Sequence, residues 1–297
     1  MAQSKLGRGE RITGWLFVAP ALTLLGVFMV YPILWSLFMS FQTGKGMNFK
    51  FGGFANIYRL TQDPVFLRAL TNTSIFLVVQ VPLMIVLALL FAVALNNPRL
   101  KFRGVFRTAI FLPCVTSLVA YSILFKSMFA TDGVVNDLAM ALHLIDTPIP
   151  WLGDPFWARV VVILAITWRW TGYNMIFYLA AMQNIDRSIY EAARIDGVPA
   201  WARFVYITIP MLKPVILFTS VISTIGTLQL FDEVNNITSS GTSSGGPADA
   251  TLTLSLYIYN LTFRFMPSFG YAATVSWVIV LLVVLLSWVQ FQFAKDR

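Results

Sequence analysis

The sequence predicts an all-α protein that crosses a membrane six times, and three observations carry the prediction. Of 297 residues, 58% are hydrophobic and only 11% charged, against about 45–50% apolar and about 25% charged in an ordinary soluble domain. Six stretches carry no charge: Ile12–Gly44, Ala69–Pro98, Thr108–Phe125, Trp170–Ile185, Pro214–Phe231 and Phe265–Ala294. Each is near or above the roughly 17–25 residues that a bilayer helix needs. The fourth is short only because Arg169 interrupts an otherwise uncharged run from Val160 to Ile185. The third observation is the distribution of the 21 basic residues. With the N-terminus in the cytoplasm, the groups around Arg8, Arg103, Arg194 and Arg297 hold thirteen of them inside, and seven, from Lys45 to Arg264, lie outside. That asymmetry sets orientation and puts both termini in the cytoplasm.

The first helix is expected near Trp15 to Phe41, with Pro20 and Pro32 inside it. It follows a short basic head, and its apolar run is too long for a signal-peptide core. Gly44, Gly46, Gly52 and Gly53 mark an outer loop. The second helix, about Thr71 to Leu95, stops at Asn96-Asn97-Pro98, and a basic turn leads into a third at about Val105 to Phe129. Pro148, Pro150 and Pro155 around Trp151 suit an interfacial cap. The fourth helix spans about Trp157 to Met182. A polar connection, Asn184 to Arg203, precedes the fifth, near Ile207 to Phe231. Thr238 to Gly246, TSSGTSSGG, reads as a flexible solvated loop, and the sixth helix covers Tyr271 to Ala294. The domain reading is a cytoplasmic head at 1–14, one membrane domain at 15–294 that includes a cytoplasmic loop at 186–206, and a cytoplasmic tail at 295–297.

Several function classes are excluded by the same composition. The net charge of +8 is spread between apolar runs and forms no dense patch for nucleic acid. Cys114 and His143 are the sole cysteine and histidine, so neither a disulfide within the chain nor a transition-metal site is expected. His143 reads as a surface or packing residue. No G-x-x-x-x-G-K-[ST] phosphate loop occurs, and no nucleophile, base and carboxylate cluster is evident. The chain is therefore expected to be no enzyme and to hold no cofactor.

The informative segment is EAARIDGVPAWARFVYITIPMLKP, Glu191 to Pro214. Ser188 and Glu191 fit a capping box that opens a helix. Asp196-Gly197 closes it, glycine allowing a left-handed turn, and Pro199 suits the first turn of a second helix. Ile189, Ala192, Ala193 and Ile195 or Asp196 share one face with small side chains, which suits either close docking of another surface or a helix lying on lipid headgroups.

This segment resembles the EAA loop of permease subunits in bacterial binding-protein-dependent ABC importers. Glu191-Ala192-Ala193, Gly197 six positions after the glutamate, and Ile207-x-x-Pro210 match it, with Asp196 and Pro214 in addition; Ile209 stands where the family usually has leucine. Ala19 to Leu22 (APAL), Tyr31-Pro32, the FRG to FLP stretch from Phe102 to Pro113, and Gly245 to Pro247 extend the resemblance to sugar importers of the maltose and lactose kind. The lactose-type first permease subunit is the nearest likeness. The resemblance implies a type I importer permease of the bacterial inner membrane. It would pair with a second permease subunit as a heterodimer, with two ATP-binding subunits and with an extracytoplasmic sugar-binding protein. It also implies a coupling helix, in which Glu191, Ala192, Ala193, Asp196, Gly197 and Pro210 meet the ATPase.

Arg169 is the one charge well inside a span, which by default marks a functional site. It sits in Thr167-Trp168-Arg169-Trp170-Thr171-Gly172-Tyr173-Asn174, where aromatic faces alternate with polar groups. That mixture suits either a sugar pocket or an interhelical polar network. The resemblance implies a sugar path along this helix and the fifth, at Arg169, Trp170, Tyr173 and Asn174 with Ile222, Ile225, Gly226 and Gln229. Ile222 and Gly226 replace polar groups used in the maltose-type permease, and Gln229 is the best polar survivor. Asp232 and Glu233 are expected to sit in water rather than pair with a docking protein. A self-sufficient secondary transporter would need intramembrane carboxylates and an inverted repeat, and a membrane enzyme would need a reactive cluster; neither pattern is visible.

Overall fold

The computed structural model describes residues 8–239, 244–265 and 267–295. Residues 1–7 of the expected basic head, 240–243 of the expected serine-rich loop and 296–297 of the expected tail lie outside the described residues. Among the described residues, five helices are long and apolar enough to span a bilayer: Ile12–Ser40, Pro64–Asn96, Pro155–Gln183, Ala200–Leu228 and Phe269–Phe293. A sixth crossing is completed if the pair Arg103–Val115 and Leu118–Met128 counts as one span. The third expected helix is thus not continuous: its halves, α5 (Arg103–Val115) and α6 (Leu118–Met128), are bent by 100°. Thr116 and Ser117 between them are extended, with ψ of 152° and 133°.

Proline shapes two of the spans. α1 (Arg8–Leu25) and α2 (Tyr31–Ser40) are joined by a π turn at Gly26–Val30, and α10 (Ala200–Arg203) joins α11 (Ile209–Leu228) through a π turn at Phe204–Thr208. In each case a proline, Pro32 or Pro210, sits at the second residue of the following helix. Proline offers no N–H and its ring clashes with the carbonyl one turn back, so the backbone widens there instead of breaking. The apolar window of the first span has no buried residue, which a bilayer permits because lipid takes the place of a protein core.

The chain forms two compact units. One comprises residues 1–62 and 261–277. Its two-residue strands β1 (Gln42–Thr43) and β2 (Lys50–Phe51) pair antiparallel, Gln42 opposite Phe51, ahead of α3 (Ala55–Gln62). The buried Asn56 amide donates to the Ser40 and Gln42 carbonyls at 2.9 and 2.8 Å, and the Thr274 hydroxyl donates to Ser40 at 3.0 Å, which satisfies the end of α2.

The other unit comprises Asp63–Asn260 and Val278–Arg297. Its centre is α4 (Pro64–Asn96) against α8 (Pro155–Gln183), joined by α11. The α4–α8–α11 core holds Ala88, Leu89, Ala92, Leu95, Met175, Tyr178, Leu179, Met182 and Leu212. Small residues let these backbones approach: Ala88 and Ala92 are fully buried on α4, and on α8 Ala158, Ala165 and Gly172 recur at seven-residue spacing, all buried. Small side chains at the interface are how helices pack where no hydrophobic force drives them together. Asp63 and Asp154 cap the N-termini of α4 and α8, each accepting two backbone N–H groups.

α7 (Val134–Ala141) follows α6. The buried Asn136 side chain holds the next connection, donating to Thr131 and Ile149 and accepting from Trp151 Nε1 at 2.8 Å. His143 is exposed, as expected. After α11 come α12 (Asp232–Thr238), a 3-10 turn at Pro247–Asp249, α13 (Leu254–Tyr259), a π turn at Asn260–Arg264 and α14 (Phe269–Lys295).

The described ends of the expected loose loop pack against the body of the unit. Thr238, Ser244, Gly245 and Gly246 are buried, and Ala248 and Asp249 adopt positive φ of 51° and 56°. Three side chains of α4 and α8 hold this strained backbone. Arg159 donates to the Ala250 carbonyl at 2.8 Å and to Asn72 at 3.1 Å, Asn72 donates to the Asp249 and Leu252 carbonyls, and Arg68 pairs with Asp249 at 3.3 Å.

Candidate functional site

The loop at 186–206 is built around α9 (Arg187–Ile195). Its start differs from the capping-box expectation: Asp186, not Ser188, is the N-cap, and its Oδ1 accepts the Ser188 N–H at 2.9 Å. The two residues are both good caps placed two apart, and the chain uses the first. That backbone hydrogen bond, followed by one from the Ser188 side chain, holds the Asp186 carboxyl below its ordinary range.

The end of α9 matches the expectation. Gly197 has φ of 73°, its N–H donates to Arg194 at 3.1 Å, and the Val198 N–H donates to Ala193 at 2.9 Å. This crossed pair is a Schellman cap, which satisfies carbonyls that the helix leaves open. Pro199 stands one place earlier than expected, as the N-cap of α10. Arg203 donates to the Val198 carbonyl at 2.7 Å and ties the elbow to the second helix.

α9 presents two faces. Ala193 is buried and Tyr190 half-buried, with the Tyr190 and Thr208 hydroxyls 2.9 Å apart. Glu191, Ala192, Asp196 and Gly197 are exposed, and beside them Ile195 is 86% exposed, an apolar side chain left uncovered at the tip. Pro210 is exposed below the π turn. Of the six expected coupling positions, Glu191, Ala192, Asp196, Gly197 and Pro210 are therefore exposed, whereas Ala193 is buried.

The expected sugar-path residues separate into three environments. Trp170 and Tyr173 are half-buried, their rings edge to face at 5.8 Å, with Phe177 continuing at 5.0 Å from Tyr173. Asn174 is buried, and its amide donates to Met84 Sδ at 3.3 Å and to the Trp170 carbonyl. Met84 also accepts from Gln80, whose Oε1 accepts from Thr227 of α11 at 3.0 Å. Thus Asn174 belongs to a polar network across α4, α8 and α11. Gly226 and Gln229 are exposed on α11.

Arg169 is 7% exposed, and its Nη1 donates to the Thr116 carbonyl at the α5–α6 break, 3.0 Å away. Its guanidinium carbon lies 4.7 Å from the Tyr121 ring centroid and 5.6 Å from that of Trp170. Glu233 corrects the expectation of a solvated carboxylate: Asp232 is exposed, but Glu233 is buried on α12 within electrostatic reach of Tyr121 and Arg169. Sequence reasoning missed Tyr121 and Glu233 because positions 121, 169 and 233 meet only through tertiary packing. No group of three or more His, Cys, Asp or Glu placed to hold a metal ion occurs among the described residues.

Comparisons with known proteins agree with this architecture. The profile of the family described as binding-protein-dependent transport system inner membrane component matches residues 63–296. The lactose transport system permease protein LacF of Rhizobium radiobacter is 68% identical over 296 residues, covering 100% of this chain and 98% of that protein. The arabinooligosaccharides transport system permease protein AraP of Bacillus subtilis (strain 168) is 33% identical over 277 residues, 93% of this chain and 86% of that protein. A chain from the crystal structure of a bacterial ABC transporter involved in the import of the acidic polysaccharide alginate superposes with a TM-score of 0.79 at 24% identity, covering 95% of both chains, and this likeness concerns the fold.

Proposed function

The chain belongs to the family of binding-protein-dependent transport system inner membrane components, and from that premise we propose that it is one transmembrane subunit of an ATP-driven sugar importer. The substrate class is a di- or oligosaccharide such as lactose, the sugar named for the LacF relative. A second permease subunit completes the pathway as a heterodimer, two ATP-binding subunits supply the energy, and an extracytoplasmic binding protein delivers the sugar. The chain itself performs no hydrolysis. Both termini and the 186–206 loop face the cytoplasm.

The observation that carries the coupling role is α9, a short helix capped at both ends, with Glu191 and Ala192 exposed along it and Asp196 and Gly197 exposed at its close. A rigid element held at both ends passes on a displacement that a floppy loop would absorb. Glu191 offers a carboxylate to a basic group on the ATPase, and Ile195 offers an apolar contact. Trp170 and Tyr173 supply stacking faces for the sugar ring, and Gly226 and Gln229 line the path from α11.

The test is reconstitution with the ATPase subunits and the binding protein. Glu191→Lys is expected to abolish sugar-stimulated ATP hydrolysis while membrane insertion stays at the level of the unaltered protein. Sugar uptake by the chain alone, driven by an ion gradient, would instead establish a secondary transporter.

A further inference from the structure

The two halves of the broken span have different neighbours. α5 lies on α8, so closely that a Cβ added at Gly172 would stand 2.0 Å from the Ile110 carbonyl oxygen. α6 lies chiefly on α12. A helix break in an apolar setting leaves carbonyls without intrahelical partners, and each such group must find another. Thr116 Oγ1 donates to the Pro113 carbonyl at 2.7 Å, and Arg169 donates to the Thr116 carbonyl at 3.0 Å. The same guanidinium covers the Tyr121 ring on α6 and lies in the field of Glu233 on α12. One side chain of α8 therefore reaches the end of α5 and the start of α6, the helix on which α12 with its buried Glu233 packs. The cluster is also incompletely satisfied: Arg169 Nε is buried without a hydrogen-bond partner. In a low-dielectric interior each hydrogen bond that such a group does make is strengthened, and its loss is costly.

We infer that Arg169, Tyr121 and Glu233 form a latch that holds the α5–α6 break in its bent state, and that Arg169 is a positioning residue for transport rather than a sugar contact. An arginine at the centre of a helix in lipid is costly unless it is paired, so a change in the bend must either carry the guanidinium to a new carbonyl or leave it stranded. The link to transport rests on the function proposed above; the latch itself does not.

Cys114, the sole cysteine of the chain, is half-buried two residues before Thr116 and within the field of Arg169, and it serves as a native reporter. The chain, co-expressed with its partners in membranes, is labelled with N-ethylmaleimide. Arg169→Met is expected to raise the labelling rate of Cys114 severalfold and Glu233→Gln to raise it less, with Arg169→Lys returning it most of the way. The assembled Arg169→Met complex is expected to hydrolyse ATP severalfold faster without sugar-loaded binding protein. Removing one buried charge strands the other; should Arg169→Met not insert, the double variant Arg169→Met/Glu233→Gln removes both, and it too is expected to label faster. An unchanged labelling rate in every variant that inserts overturns the latch. Faster labelling with unchanged basal hydrolysis in an assembled complex overturns the positioning role. Unaltered labelling and basal hydrolysis with only a higher sugar concentration for half-maximal uptake makes Arg169 a sugar contact. If no ATPase associates, the proposed function fails, and the labelling result still decides the latch.

Discussion

Gly172 and Gly197 are glycines for opposite reasons. At Gly172 a side chain would meet the carbonyl of Ile110 at 2.0 Å, and the obstacle is backbone that cannot rotate away. At Gly197 the space is open, but φ is 73°, a conformation that costs other residues about 1–2 kcal/mol. Gly172→Ala is therefore expected to force α5 off α8 at about 1–3 kcal/mol, read as a lowered thermal midpoint of the purified protein in detergent. Gly197→Ala is expected to leave that midpoint nearly in place and to loosen only the end of α9. The Gln80–Thr227 hydrogen bond offers a third test. A double-mutant cycle with Gln80→Leu and Thr227→Val is expected to give a coupling of about 0.6 kcal/mol, with about 1.7 kcal/mol as the ceiling for such bonds in a membrane protein.

α9 shows how an element responds to pH. The Asp186 carboxyl is held below its unfolded value, so the folded helix binds that proton less readily than the unfolded chain does. Its capping contribution is complete above the unfolded value of about 3.9 and is lost as pH falls through the lowered folded value. Amide exchange in α9, corrected for its intrinsic pH dependence, is expected to stay flat from neutral pH to about pH 5 and to quicken only in more acidic buffer. Asp186→Ala is expected to show the faster exchange at all pH values. The helix and its glycine stop are legible in the sequence because Asp196-Gly197 is strong local chemistry. The cap is ambiguous because Asp186 and Ser188 compete for the same role. The bend between α5 and α6 has only Pro113 as a signal, and prolines also lie inside spans that stay continuous, as Pro82 does in α4. Thr108–Phe125 is uncharged throughout, and an apolar run reports the length of a span but not its straightness.

At the scale of the molecule, the number of spans is readable because a hydrocarbon core about 30 Å thick imposes the same demand on every crossing. What composition cannot convey is which side chains of different spans meet. Arg169 stands out in the sequence as a charge among apolar residues, but Glu233, beside Asp232 at the end of a helix, looks like a solvated acid. The first span is the opposite case: its apolar character is plain, and its window carries no buried residue. A charge there finds no protein partner, so Leu24→Lys is expected to cost about 2.5–3.5 kcal/mol of apparent insertion free energy, measured in an insertion assay against the unaltered segment. A lysine at Trp15, near the end of the run, is expected to cost far less because its long side chain reaches the interface.

Three residues, 184–186, separate the end of α8 from the start of α9, and none of that connection is slack. Asn184 and Ile185 donate backbone hydrogen bonds into the last turn of α8, Ile185 is buried in the helix core, and Asp186 already caps α9. Under the proposed coupling role, a displacement of α9 is therefore expected to enter α8 with little loss in the connection. The close approach of α5 to α8 at Gly172 leaves little room for one backbone to roll past the other, so under the proposed coupling role the two helices are expected to move together.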